Sequence, residues 1–254
     1  MLYLYKIITN ILYPFLVVFI FIRKLKKREH SKRFKEKIFS SSFNIKKKEN
    51  AKLVWFHAAS IGELNSILPI IEELNYKNKI EFLITTSTLS SGKLAQKEFE
   101  HHKNIQHRFL PLDINFLVSR FVDFWKPDAI FFVDSEIWPN LIQKINKNKI
   151  PLALINARIT SKTFKRWIIF SKTANKVFGF INSYLAANRE TKKYLERFNV
   201  KNIEYHGNIK LIKKINLDTL NNSNSSLLKN KRFWFAASTH RGEEVLCLKV
   251  HLDI

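Results

Sequence analysis

Short continuous apolar runs alternate along this chain with segments whose apolar residues recur at helical spacing, the pattern of strands covered on both faces by helices. Leu53 to Ile71, LVWFHAASIGELNSILPII, is the first such pair: a run ending at Phe56 gives way to small residues and then to Leu64, Ile67, Leu68 and Ile71. It predicts a strand, a tight turn and a helix. Further strands are predicted at Glu81 to Thr86, His107 to Leu112, Ala129 to Val133, Pro151 to Ile155, Ser183 to Ala187 and Ile203 to His206. Between them, helices are predicted from Lys93 to Phe99, Ile114 to Trp125, Pro139 to Asn146, Lys162 to about Val177 and Glu190 to Phe198. Strand and helix alternating in this way predict a doubly wound, mostly parallel α/β sheet over residues 51–210.

The pattern differs at both ends. Residues 1–22 are almost wholly apolar, long enough to reach the lower limit of a bilayer span, and are read as a membrane anchor. Pro14 weakens a straight span, so an interfacial helix stays open beside a spanning one, as does a buried core helix. Residues 23–50 carry no clear apolar period and read as a basic juxtamembrane connector, drawn to anionic lipid. The cations follow the apolar segment instead of preceding it, which by the positive-inside bias puts the body of the protein on the cytoplasmic side and argues against a cleaved signal. Residues 211–231 centre on NNSNSS and read as a linker. Residues 232–254 then repeat the opening theme, with RFWFAA as a strand and Glu243 and Glu244 at a helix start, so a second domain of the same class is expected to begin there and to be cut short.

Charge sharpens the membrane reading. The formal net charge is +23 over 254 residues, and the first fifty hold thirteen Lys and Arg against three Glu, a local +10. An anionic partner is implied. The basic residues are not interleaved with a nucleic-acid recognition motif, so lipid is favoured over nucleic acid. One cysteine, Cys247, excludes an internal disulfide framework and a multi-cysteine zinc site. His101, His102 and His107 lack metal-ligand spacing, and the chain has neither a G-x-G-x-x-G nor a phosphate-binding G-x-x-x-x-G-K-[ST]. No metal and no cofactor are expected.

Candidate chemistry lies at the carboxyl ends of three predicted strands, where ligands bind in open α/β sheets. Glu63 stands at a helix start after Ser60 and Gly62; Asp134, Ser135 and Glu136 follow the run AIFFV; Asn156 and Arg158 follow the next strand. Two acids, an arginine and small turn residues suit a reaction between a hydroxyl and an anionic donor. Each group taken alone also fits capping or turn chemistry.

The order of HAASIGE (57–63), DSEIWPN (134–140), INARIT (155–160), GNIK (207–210) and AASTHRGEE (236–244) resembles the 3-deoxy-D-manno-octulosonic acid (Kdo) transferases along the whole chain. That resemblance implies a GT-B glycosyltransferase moving Kdo from CMP-Kdo onto a lipid A precursor at the cytoplasmic face of the inner membrane. It implies Glu63 as general base, with Ser60, Gly62, Glu136, Arg158 and Lys210 binding substrate and Ser238, Thr239 and His240 on the donor side. GNIKLI departs from the family's G-N-x-K-F-D, and the C-terminal domain that carries most of the family's nucleotide site is expected to be missing. Two other readings stay beside it: a GT-B transferase of another nucleotide sugar, and a fragment that only binds anionic lipid.

Overall fold

The computed structural model describes residues 1–40, 51–77, 80–211 and 235–252. Its strands are β1 (Lys52–His57), β2 (Ile80–Thr86), β3 (Ile105–Phe109), β4 (Ala129–Val133), β5 (Leu152–Ala157), β6 (Ser183–Ala186) and β7 (Ile203–Tyr205). They form one sheet in the order β3-β2-β1-β4-β5-β6-β7, with every neighbouring pair parallel. β3 starts earlier than its apolar run suggested and ends before Pro111, which has no N–H to give a ladder.

Parallel strands need crossovers, and helices supply them on both faces. α2 (Ile61–Lys77) and α3 (Leu89–Phe99) belong to one face, where Phe56, Phe82 and Ile84 meet Leu64, Ile67 and Ala95. α4 (Asn115–Trp125), α5 (Pro139–Lys147), α6 (Ser161–Ile168), α7 (Ser171–Phe178) and α8 (Arg189–Glu196) belong to the other, whose core includes Trp55, Phe132, Leu154, Phe121, Trp125 and Phe198. Trp55 and Phe56 are adjacent and wholly buried on opposite faces, as the period of two in a strand requires.

The single long helix expected from Lys162 to about Val177 is two helices, α6 and α7, broken at Ile169 and Phe170 without a Pro or Gly. Aromatic packing accounts for the break. Phe164 and Phe178 both contact the ring of Phe198, at centroid distances of 5.3 and 4.7 Å. Fourteen residues of straight helix would hold them about 21 Å apart, so the chain has to bend.

α1 (Leu2–Leu25) is docked along one side on this body. Tyr5 donates to Asp113 Oδ2 at 3.0 Å, Asn140 Nδ2 donates to Thr9 Oγ1 at 3.1 Å, Tyr13 donates to the Ile38 carbonyl at 2.7 Å, and Ile20 is buried against Phe34 and Ile38. Its other side bears exposed Leu4, Ile8, Ile11, Phe15, Phe19 and Ile22.

The expected connector is folded into the body as far as residue 40. Arg33–Lys37 forms a 3-10 helix that buries Phe34, Glu36 and Lys37. Glu36 Oε2 accepts from the Phe109 amide at 2.8 Å, and Arg33 donates to the His107 carbonyl at 2.9 Å, so this segment is bonded to the edge strand β3. A polar sequence without an apolar period is ordered here by ion pairs and backbone contacts that periodicity does not register. Residues 41–50 of that connector lie outside the described residues, as do 212–231 of the expected linker.

The chain divides into a unit Met1–Lys213 and a unit Lys214–Ile254. In the second, α9 (Glu243–Leu252) begins at the two expected acids. Of the strand expected over 232–236, residues 232–234 lie outside the described set, while Phe235 and Ala236 form no strand. Phe235 is 84% exposed, and an extended segment without a ladder partner among the described residues is not a strand.

Candidate active site at the switch point of the sheet

Strand order reverses between β1 and β4, so their crossovers leave in opposite directions and a crevice opens at their carboxyl ends. His57, the last residue of β1, lies beside Phe132 of β4. Its side chain is wholly buried, with Nδ1 at 2.9 Å from Thr85 Oγ1 and Nε2 at 3.1 Å from Glu136 Oε2. The imidazole thereby links β2, β1 and the turn after β4 in one chain of contacts. Glu136 Oε2 also accepts the indole N–H of Trp138 at 2.6 Å, and its side chain stays 16% exposed.

Glu63 is attached to the same β1 exit. Its Oε2 accepts from the Ala59 amide at 2.8 Å and its Oε1 from the Ser60 hydroxyl at 2.7 Å, while Ser60 Oγ accepts from the Glu63 amide at 3.3 Å. Ser60 thus caps the Glu63 amide as a helix N-cap does, while the Glu63 carboxylate reaches back to the Ser60 hydroxyl and to the Ala59 amide just before the cap. Each carboxylate oxygen accepts one bond and retains a second lone pair. Gly62 lies exposed in the first turn of α2, and a Cβ there would meet nothing within 4 Å. No close approach within the fold requires a glycine at this point, although glycine costs a helix roughly 1 kcal/mol relative to alanine.

The ends of β4 and β5 are strained in the same way. Asp134 (φ 67°) and Asn156 (φ 53°) adopt the left-handed conformation, which Asp and Asn tolerate better than other side chains. Both are then bonded to the segment after β7: Lys210 Nζ donates to Asp134 Oδ2 at 2.8 Å, and the Ile209 amide donates to Asn156 Oδ1 at 3.1 Å. Ser135 Oγ donates to the Arg158 carbonyl at 2.7 Å, and the Arg158 amide donates to the Asp134 carbonyl at 3.3 Å. Arg158 thus joins the cluster through its backbone, and the residue is exposed.

Sequence reasoning singled out Ser60, Gly62, Glu63, Glu136, Arg158 and Lys210, and all six lie at or just beyond the carboxyl edge of the sheet. Ser238, Thr239 and His240 belong to the second unit, where Thr239 Oγ1 and the His240 amide donate to Glu244 and Glu243 at the start of α9. Asp134, named among the strand-end groups, is here the partner of Lys210, while His57, Trp138 and Asn140 were missed as site residues. His57 had a signal, being a polar residue that closes an apolar strand. Asn140 and its partner Asp113 had none: Asp113, far away in sequence, accepts from the amides of Asn140 and Leu141 at 3.1 and 2.9 Å and so caps α5 from outside. Burial raises the Asp113 pKa, against the lowering effect of those amides and of Tyr5.

A doubly wound parallel sheet with a polar crevice at its switch point is the N-terminal half of a GT-B type α/β fold. The solved S. aureus MnaA–UDP co-structure shares that fold, with a TM-score of 0.52 at 14% identity over 72% of this chain and 52% of that one. Residues 32–212 match the family described as 3-deoxy-D-manno-octulosonic-acid transferase (kdotransferase), and the chain belongs to that family. A probable mitochondrial 3-deoxy-D-manno-octulosonic acid transferase of Arabidopsis thaliana is 32% identical over 98% of this chain and 57% of its own length. The 3-deoxy-D-manno-octulosonic acid transferase of Rickettsia bellii is 31% identical over 98% of this chain and 59% of its own. The chain spans about half the length of the curated relatives it matches.

Proposed function

We propose that this chain is the acceptor-side part of a glycosyltransferase that moves Kdo from CMP-Kdo to a lipid A precursor. The observation that carries the reading is the attachment of Glu63 and Glu136 to one strand exit, Glu63 through Ala59 and Glu136 through His57, at the crevice of a domain similar to Kdo transferases throughout. Glu63 takes the proton from the acceptor hydroxyl as its oxygen attacks the anomeric carbon, and the bond from that carbon to the CMP phosphate breaks with the electron pair leaving on CMP. The first turn of α2 and the exposed Arg158 favour negative charge at that edge, where Lys210 is held by Asp134. The open surface above Gly62 leaves room for substrate to approach the backbone.

The same reading places the chain on the cytoplasmic face of the inner membrane, with α1 lying in the interface instead of crossing it. α1 is long and apolar enough to span by length and composition. A spanning helix is surrounded by lipid, however, and the side of α1 that bears Tyr5, Thr9 and Tyr13 is bonded to polar groups of the body. Its exposed apolar side and the cations that follow it fit an amphipathic helix on anionic lipid.

The test is incubation of the full gene product with CMP-Kdo and a lipid A precursor, with product mass and CMP release as readouts. One added Kdo per CMP released is expected. A folded protein that releases no CMP and adds no sugar would overturn the assignment.

A further inference from the structure

Beside the crevice, on the side toward α1, lies a cavity of about 200 Å³. Ile20, Leu112 and the indole of Trp138 make part of its wall apolar, and Arg23, Glu29 and Lys37 make the rest charged. Glu29 is 5% exposed and Lys37 6%. The single carboxylate of Glu29 is shared by two cations: Arg23 Nε reaches Oε1 at 2.7 Å, and Lys37 Nζ reaches Oε2 and also the Ser87 carbonyl. Two cations on one anion leave a net positive charge at the cavity, buried at Lys37 and 35% exposed at Arg23, so an incoming anion finds one cation reachable from solvent and a second one behind it. Burial lowers the Lys37 pKa, in agreement with a charge that lacks full compensation.

The position of the cavity narrows the kind of anion. Ile20 and Arg23 belong to the end of α1, where the exposed apolar side continues through Phe19 and Ile22 and the basic run begins. On the opposite wall Trp138 is bonded to Glu136 of the candidate site. An amphiphile resting in the membrane interface would therefore meet apolar surface first, then the cations, then the crevice. The guanidinium of Arg23 carries five donors and its bond to Glu29 uses Nε, so it is suited to a tetrahedral oxyanion as well.

We propose that this cavity is a binding site for the phosphate monoester of an anionic amphiphile, with Arg23 and Lys37 holding the phosphate and Ile20, Leu112 and Trp138 lining the first methylenes of its chain. The proposal rests on the transfer reading only in taking that amphiphile to be the acceptor. Binding is therefore measured without any donor. Calorimetry on the full chain compares a short-chain diacylglycerol phosphate below its micelle concentration, inorganic phosphate and the uncharged short-chain diacylglycerol. The diacylglycerol phosphate should bind at least about tenfold more tightly than either other probe. Arg23→Gln, which leaves Lys37 on Glu29, should weaken that binding by about tenfold or more. Glu29→Gln removes the competing anion and should tighten it, whereas a purely structural Glu29 predicts loss; thermal melting of both variants shows that they are folded.

Inorganic phosphate binding as well as the amphiphile would reduce the cavity to a plain anion site and overturn the proposal. Unchanged binding in folded Arg23→Gln would overturn it too. If binding holds while Kdo transfer fails, the transfer reading falls alone. If transfer proceeds with an unaltered acceptor KM in Arg23→Gln, the cavity reading falls alone.

Discussion

Glu63→Gln separates catalysis from capping, because the proposed base also holds the start of α2. The substitution removes the carboxylate charge from the start of α2, worth about 0.3–1 kcal/mol. It also weakens two charge-assisted bonds, from the Ala59 amide at 2.8 Å and the Ser60 hydroxyl at 2.7 Å. Neither donor need be orphaned, since the glutamine carbonyl can take the Ala59 amide and the Ser60 hydroxyl can turn to accept from the glutamine amide. A total of about 1–2 kcal/mol is expected, within the measured range for losing a helix cap. For a chain of this size that lowers Tm by roughly 2–8 °C and leaves the protein folded at assay temperature. Loss of a general base is far larger, about a hundred- to ten-thousand-fold in rate. Ser60→Ala is the comparison: it removes the Ser60 half of the same cap at a similar cost in Tm but keeps the carboxylate, so any loss of rate from its substrate contact should be far smaller than that of Glu63→Gln. Thermal melting and initial-rate Kdo transfer, run on both variants in the full gene product, should show two similar melting shifts and one collapsed rate. Turnover of Glu63→Gln within about fivefold of the parent would refute the base assignment and leave Glu63 as a cap.

Gly62→Ala should raise stability by about 0.4–1 kcal/mol, since alanine favours the helix and its Cβ meets nothing, yet lower transfer if substrate passes over that turn; stabilisation with unchanged kcat/KM would show the open surface to be unused. His107 gives a pH prediction. Burial, then Arg33, Arg108 and His30, lower its pKa to about 3 from 6.5. The unfolded chain therefore binds the extra proton between those values, and stability falls as pH drops from about 6.5 toward 3, by up to about 1.4 kcal/mol per unit. Denaturant unfolding of His107→Asn, which keeps an acceptor for Arg33, should lose that part of the slope; an identical pH profile would assign the slope elsewhere. Interfacial α1 predicts that the protein resists high salt, which screens the cations but leaves apolar contact, and that a cysteine placed at Tyr3 is not labelled from outside the cell. Labelling at that position would establish a span. Asp113→Asn should cost about 1–3 kcal/mol in thermal melting, because one carboxylate serves the α5 amides and Tyr5 together; a silent substitution would mean that α5 does not need this cap.

Local pattern was enough to place the seven strands of the sheet and most of the helices, though not the strand expected over 232–236, because a strand buried on both faces has to be continuously apolar, as Ala129 to Val133 is, and a crossover helix has to show its apolar stripe. The position of Glu63 at a helix start after Ser60 was equally legible, since the residues that contact there are at most four apart. The membership of Glu136, Arg158 and Lys210 in one edge followed from topology once the strands were known to be parallel. What pattern does not hold is any contact between distant residues. The bend between α6 and α7 exists because two rings fourteen residues apart share Phe198, and no local breaker marks it. His57 became the bridge to Glu136, seventy-nine residues away in sequence, only when β4 was laid beside β1. The side of α1 that faces the body was set by Asp113, Asn140 and Ile38, which are polar or distant partners that apolar periodicity does not count. Strand and helix are decided by short-range sterics and burial, while hydrogen bonds and ring contacts across the fold depend on which surfaces the sheet order brings together.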